Sequence, residues 1–222
     1  MSQRHFSVKT IIFDMDGVIT NTMPDHFHAW KVILAKENIP ISHYDIYSRE
    51  GQPGLQSVRE FFAEQNRTFD INKAKQILLD KENYFKKILK MRYITGARRF
   101  IRHLHAQGFT LALVTGTARH ELDRMLPESI QKLFTVKVTG NDVKHGKPHP
   151  EPFLRALKQL KMKSKDGVVI ENAPFGIQAA KAAGLQCLAV ETSLPRKHLR
   201  QADAVFKTIK ELEEKVKFIV NL

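Results

Sequence analysis

Cysteine is nearly absent: 222 residues contain one, Cys187, inside the apolar run Leu185–Val190. A lone thiol cannot build a disulfide framework, so the chain must fold on its core, with Cys187 expected as a buried structural thiol. Long apolar runs are also missing. Stretches such as Thr10–Phe13 and Leu111–Val114 fall far short of the roughly 20 residues that cross a bilayer as a helix, so no membrane association is expected. The opening MSQRHFSVKT has charge but no apolar stretch ahead of the first strand. No export leader is therefore expected, and the expected location is the cytoplasm. Acidic residues are scarce as well, with 23 Asp and Glu against 36 Lys and Arg and a formal net charge of +13. Such a surplus attracts anions, whether small phosphorylated molecules or nucleic acid. The basic residues, however, are strung along helical segments (Lys86, Lys87, Lys90 and Arg92; Lys158, Lys161, Lys163 and Lys165) without interleaved aromatics or zinc-finger spacing. Solvated helix faces account for them, and no nucleic-acid partner is expected.

What is present is an ordinary globular composition, 42% hydrophobic and 27% charged, with short apolar strands alternating with amphipathic helices. Val8–Phe13, Thr110–Val114, Val136–Thr139, Gly167–Ile170 and Gln186–Val190 read as buried strands. Helical patterns occupy Ala97–Gln107, Arg119–Leu126, Pro150–Leu160 and Phe175–Ala183. This alternation implies parallel strands with right-handed crossovers, hence a doubly wound, Rossmann-like α/β sheet with its site at the carboxyl ends of the strands. One segment breaks the pattern. Met23–Glu37, Leu55–Gln65 and Ile71–Met91 read as three helices with no strand between them. They predict a small helical domain, residues 23–92, inserted into a core of residues 1–22 and 93–222, with hinges near Asn21–Met23 and Tyr93–Gly96.

Four polar stations follow four of the strands. Phe13-Asp14-Met15-Asp16-Gly17-Val18 sets two carboxylates one residue apart at the end of a buried strand, where a hard cation such as Mg²⁺ is a suitable partner. An Asx-turn before a glycine is the structural alternative. Thr115-Gly116-Thr117 offers hydroxyls and free N–H groups suited to phosphoryl oxygens, or simply a helix cap. Lys147, in Lys144-His145-Gly146-Lys147-Pro148, supplies a positive charge for a transferring phosphate unless it is merely a solvated loop lysine. Glu171-Asn172 offers an acid and an amide oxygen to a metal shell, or a cap for the helix that follows. Convergence of all four at the strand ends of one sheet favours a site.

In this order and context the set resembles the haloacid dehalogenase-like superfamily, over essentially the whole chain, in its subgroup with an α-helical cap. The stretch Asp14 to Thr22, followed by His26-Phe27-His28-Ala29-Trp30-Lys31, is similar to the β-phosphoglucomutase and small-metabolite phosphatase group. The resemblance implies Asp14 as nucleophile and Asp16 as acid and base, with Thr115 and Lys147 holding phosphoryl oxygens. It implies one Mg²⁺ at Asp14, the Asp16 carbonyl, Glu171 and Asn172, and His26 helping to position Asp16, although His26 can equally be a core histidine. Gly51, Gln52, Gly116 and Thr117 are the further substrate-binding candidates. For Asp16 to act as an acid, its pKa is expected to rise in the closed site.

Two departures from the pattern matter. Where the mutases carry a phosphate-gripping Arg in a Gly-Val-Ser-Arg loop, this chain reads Gly51-Gln52-Pro53-Gly54, with Arg49 on the other side of the glycine. Asn172 stands where most relatives place Asp, an uncharged ligand that Glu171 is expected to compensate. The expected activity is Mg²⁺-dependent hydrolysis of a small phosphorylated metabolite such as a sugar phosphate. A sugar-phosphate mutase is the alternative, and a non-enzymatic basic anion-binding protein is the less favoured third.

Overall fold

A computed structural model describes residues 3–220. The chain opens with β1 (Arg4–Val8) and β2 (Thr10–Phe13), then leaves the sheet for four helices, α1 (Met23–Ala35), α2 (His43–Tyr47), α3 (Gly54–Glu64) and α4 (Ile71–Ile88). It returns through α5 (Ala97–Ala106), β3 (Thr110–Val114), α6 (Arg119–Met125), α7 (Glu128–Gln131), β4 (Val136–Val138) and α8 (Glu151–Leu160). It finishes with β5 (Gly167–Glu171), α9 (Pro174–Ala182), β6 (Gln186–Val190), β7 (Ala204–Phe206), α10 (Ile209–Lys215) and β8 (Val216–Val220). Six strands form a parallel sheet in the order β4-β3-β2-β5-β6-β7.

All four residues of β2 are buried, as befits a central strand covered on both faces. Its side chains alternate between two cores. Ile11 and Phe13 join Leu111, Leu113, Val168, Ile170, Leu188 and Val190 on the face covered by α5 and α10. Ile12 joins Ala112, Val114, Val169, Cys187 and Ala189 on the other, in a cluster that runs on into Trp30 and Phe61 of the inserted helices. This is the doubly wound arrangement expected of strand–helix alternation, with Cys187 buried. The register sets the site. Phe13 lies beside Leu113 on one side and Ile170 on the other, so the residues just past β2, β3 and β5 emerge at one level.

The structure departs from the sequence reading in detail. Val8–Phe13 is not one strand: it breaks at Lys9, whose N–H donates to the Asp166 carbonyl at 2.8 Å. The first half, β1, pairs instead with β8, a strand the sequence reading missed because Lys217 and partly exposed residues interrupt its apolar pattern. The three-residue β7 was too short to register. The inserted region has a fourth short helix, α2, opened by a Ser42–Asp45 capping box. The two crossings between sheet and insertion are tied together, with the N–H of Asn21 donating to the Arg92 carbonyl and that of Ile94 to the Ile19 carbonyl. Among the described residues no helix is long and apolar enough to cross a membrane.

Phe13 lies at the centre of one core, edge-on to both Phe100 and Phe134. Phe13→Ala should cost about 3–5 kcal/mol through lost burial and the cavity left behind, read by denaturant unfolding. A loss below about 1 kcal/mol would mean that this core is not packed as described.

Candidate active site

Asp14 follows β2 and is fully buried, with its N–H bonded to the Ile170 carbonyl at 3.1 Å. Lys147 enters from the loop before α8, also buried, and its ammonium donates to Asp14 Oδ1 at 2.5 Å and Glu171 Oε1 at 2.6 Å. Burial opposes that charge, but the two carboxylates outweigh it and raise the lysine pKa, so Lys147 stays an ammonium. The Asp14 pKa is raised as well, to about 7. Burial is the main cause, partly offset by Lys147 and reinforced by Glu171. The surroundings hold more negative charge than one lysine neutralises.

Asp16 is the opposite case. Its Oδ1 accepts from Thr22 and from Thr20 (3.4 Å), and its Oδ2 from Thr117 (2.9 Å) and Thr115 (3.5 Å). His26 Nε2 lies 3.7 Å from Oδ1. Burial would raise the Asp16 pKa, yet His26 and the threonine hydroxyls more than offset it, and the carboxyl sits below its ordinary value. The rise expected from sequence is therefore not found, because the residues that enclose Asp16 are hydrogen-bond donors. Thr22 precedes α1 but does not cap it, its hydroxyl being turned to Asp16 instead.

His26 stacks on Phe85 at 4.0 Å, and its Nδ1 is 3.2 Å from Lys81 Nζ. An ammonium only donates, so Nδ1 accepts and the ring proton sits on Nε2, facing Asp16. Burial, then Lys81, lowers the His26 pKa against the pull of Asp16, so the ring is neutral. Lys81 itself is buried without a carboxylate partner; it lies over the Trp30 and Phe85 rings, and burial lowers its pKa. Arg49 lines the cavity, but its guanidinium is committed, donating to Glu60, Glu64 and the Asp45 carbonyl. Gln52, a substrate-binding candidate, is also committed, giving its amide proton to Glu60 and accepting from Ser57. Thr115 accepts from the Thr117 N–H at 3.0 Å, so the Thr115-Gly116-Thr117 turn is held by its own first hydroxyl.

The inserted helices are shut down on this site. A Cβ on Gly116 would meet the Gly51 Cα at 2.7 Å, and one on Gly146 would meet the Gly51 carbonyl oxygen at 2.8 Å. Gly17 adopts φ +88°, and a side chain there would strike Asn172. Beneath the insertion remains a cavity of about 180 Å³, whose lining includes Asp14, Asp16, His26, Glu50, Lys81 and Thr117.

The metal candidates expected from sequence differ in how they are engaged. Both Glu171 oxygens accept hydrogen bonds: Oε1 takes the Lys147 ammonium, and Oε2 accepts the N–H groups of Asn172 and Ala173 at the start of α9. It acts as lysine anchor and helix cap. Asp16 likewise has its carboxylate occupied, leaving its backbone carbonyl. Among the described residues, the buried side-chain oxygens without a donor are Asp14 Oδ2, Asn172 Oδ1 and Glu50 Oε1. Glu50 was overlooked in the sequence, since an acid beside a loop glycine carries no sign of burial there. Burial, then Asp14, drives its pKa well above the carboxylate range. Undonated oxygens amid surplus negative charge are a hard-cation set, so the residues present fit a divalent ion.

A fold of this kind with an Asp-x-Asp station at the end of its central strand defines a class of enzyme. A family model for haloacid dehalogenase-like hydrolases matches residues 11–190, and the chain belongs to that family. It is 31% identical over 186 residues to a phosphorylated carbohydrates phosphatase of Thermotoga maritima, covering 81% of this chain and 83% of that one. It is 28% identical over 219 residues to the beta-phosphoglucomutase of Bacillus subtilis, covering 92% of each. A Bacteroides vulgatus structure provisionally named a beta-phosphoglucomutase superposes with a TM-score of 0.84 at 31% identity, covering 95% of this chain and 88% of that one.

Lys147→Met would leave Asp14 and Glu171 buried without their counter-charge, which should cost about 3–5 kcal/mol of stability in metal-free protein at neutral pH. Lowering the pH should recover part of it. The folded Asp14 binds its proton near 7, well above its ordinary 3.8, so folding gains as pH falls through that window and loses as it rises. Thermal unfolding from pH 5 to 8 reads both effects. Equal stability of variant and parent at pH 8 would contradict the charge balance described.

Proposed function

We propose that this enzyme hydrolyses a small phosphorylated metabolite, of the sugar-phosphate class, through a phosphoenzyme on Asp14 with one Mg²⁺. The observation that carries the reading is the division of labour between two neighbouring carboxylates. Asp14 is anchored through Oδ1 to Lys147 and has an undonated Oδ2, whereas Asp16 is surrounded by donors. A carboxylate oxygen of Asp14 attacks phosphorus, and the bond to the leaving oxygen breaks. Asp16, protonated once an anionic substrate neighbours it, gives that oxygen its proton. Asp16 then takes a proton from water, whose oxygen attacks phosphorus and releases Asp14 and inorganic phosphate. Lys147, Thr115 and the Gly116–Thr117 backbone steady the phosphoryl oxygens, and His26 orients Asp16 from above. The ion would be held by Asp14, the Asp16 carbonyl, Asn172 and Glu50, and would supply charge neutralisation for the phosphoryl group. Residues 23–92 act as the cap. With the cap shut, a cavity of about 180 Å³ is smaller than the usual ligand pocket, which favours a compact leaving group.

Hydrolysis is preferred over mutase chemistry because the cap lacks a second-phosphate clamp. A mutase needs a firm hold on a bisphosphate while it turns around. Here Arg49 is spent on Glu60 and Glu64, and Lys81 is the cap ammonium left facing the cavity. A point charge is a weaker phosphate grip than a guanidinium fork. Lys81 is also what favours the second reading, since one ammonium can still attract a distal phosphate. The two separate on β-glucose 1-phosphate with a trace of glucose 1,6-bisphosphate. Phosphate release without any need for the bisphosphate is expected, whereas rapid glucose 6-phosphate formation with negligible phosphate release would establish the mutase. Asp14→Asn should abolish turnover by several orders of magnitude while the unfolding transition persists. Near-parental phosphate release by that variant would sink the nucleophile assignment.

A further inference from the structure

We infer that Glu50 is a metal ligand delivered by the cap, so that cap closure and capture of the divalent ion are a single linked event. The inference rests on the Mg²⁺ reading above and extends it to how the cap is held. Glu50 lies in the loop after α2, outside the sheet domain that carries every other ligand candidate. Its Oε2 accepts from Asn172 Nδ2 at 2.8 Å, and Asn172 gives its other amide proton to Ser193 at 2.8 Å. These two donations fix the amide, so Asn172 Oδ1 is left without a donor, as are Glu50 Oε1 and Asp14 Oδ2, whose residues line one cavity. The loop is pinned in this position by the Phe175 N–H, which donates to the Ser48 carbonyl at 3.3 Å, and by Gly51 resting on Gly116 and Gly146.

Charge explains why a cap carboxylate is needed. Both Glu171 oxygens already accept from Lys147 or α9, and Asn172 is neutral, so among the described residues the undonated side-chain oxygens of the core are one of Asp14 and one of Asn172. Mg²⁺ sites of this type use one or two carboxylates with waters and phosphate. Glu50 supplies the second anion, but only with the cap shut. Opening the cap therefore removes a ligand, and by linkage the ion must favour the closed state by the same factor by which closure tightens the ion. Glu50 also replaces the charge that Asp would carry at position 172, and Asp there would repel Glu50 where Asn now donates to it.

The test is calorimetric titration of the full chain with Mg²⁺ alone, paired with small-angle scattering with and without the ion. The parent should bind one ion and become more compact. Glu50→Gln, nearly isosteric, should bind Mg²⁺ about 10- to 100-fold more weakly and show no ion-dependent compaction. The double variant Glu50→Gln/Asn172→Asp returns the missing anion to the core. It should regain most of the affinity without regaining compaction, which separates ligand loss from misfolding. Parental affinity and parental compaction in Glu50→Gln would overturn the inference while leaving the Mg²⁺-dependent reaction standing. Weak binding with compaction intact would overturn the linkage. Absence of Mg²⁺ binding in the parent would remove this inference and the metal-dependent function together.

Discussion

The ammonium of Lys147, 2.5 Å from Asp14 and 2.6 Å from Glu171, is the contact around which the site is organised. It joins the ends of β2 and β5 to the loop before α8, three segments distant in sequence. Buried ion pairs seldom add net stability, because desolvation consumes the attraction. What this one provides is orientation: one oxygen of Asp14 is anchored and the other is left free. The site holds more carboxylate than cation. Glu171 fixes the lysine through one oxygen and the first turn of α9 through the other.

The second constraint is the contact between cap and core. Gly51, Gly116 and Gly146 come from three loops that meet where no Cβ fits. Backbone-to-backbone contact of this kind brings the inserted helices near enough to set His26, Glu50 and Lys81 around the same cavity as Asp14 and Asp16. The paired crossings at Asn21–Arg92 and Ile19–Ile94 tie the two connections between sheet and insertion to each other.

Much of this was legible along the chain. Strand–helix alternation specified the sheet and its two cores, because a parallel strand must be apolar on both faces. Asp14, Thr115 and Glu171-Asn172 were readable because each stands at the end of an apolar strand, whereas Lys147 lies in the long loop between β4 and α8. The misses have physical reasons. β1 and β2 read as one strand because Lys9 interrupts hydrogen bonding rather than hydropathy. β8 was hidden because its outer side chains are partly exposed. The hydrogen bonds of Glu171 to Lys147 and to α9 were not legible, because sequence shows which groups can ligate but not which other partners they have.

The sequence by itself determined the sheet, the helical insertion and the Asp14-Met15-Asp16 station at the end of the central strand. Each depends on local periodicity or on residues a few positions apart. Only the tertiary structure decided the charge states and partners within the site. Asp16 is ionised because Thr22 and His26, at the start of α1, and Thr117, in the loop after β3, converge on it. Arg49 lines the cavity, but its guanidinium is held by Glu60 and Glu64, one turn apart on α3. Glu50 joins the centre because a cap loop closes over residues more than a hundred positions away. Electrostatics and coordination depend on distance in space and on burial, and neither is recorded in the order of residues.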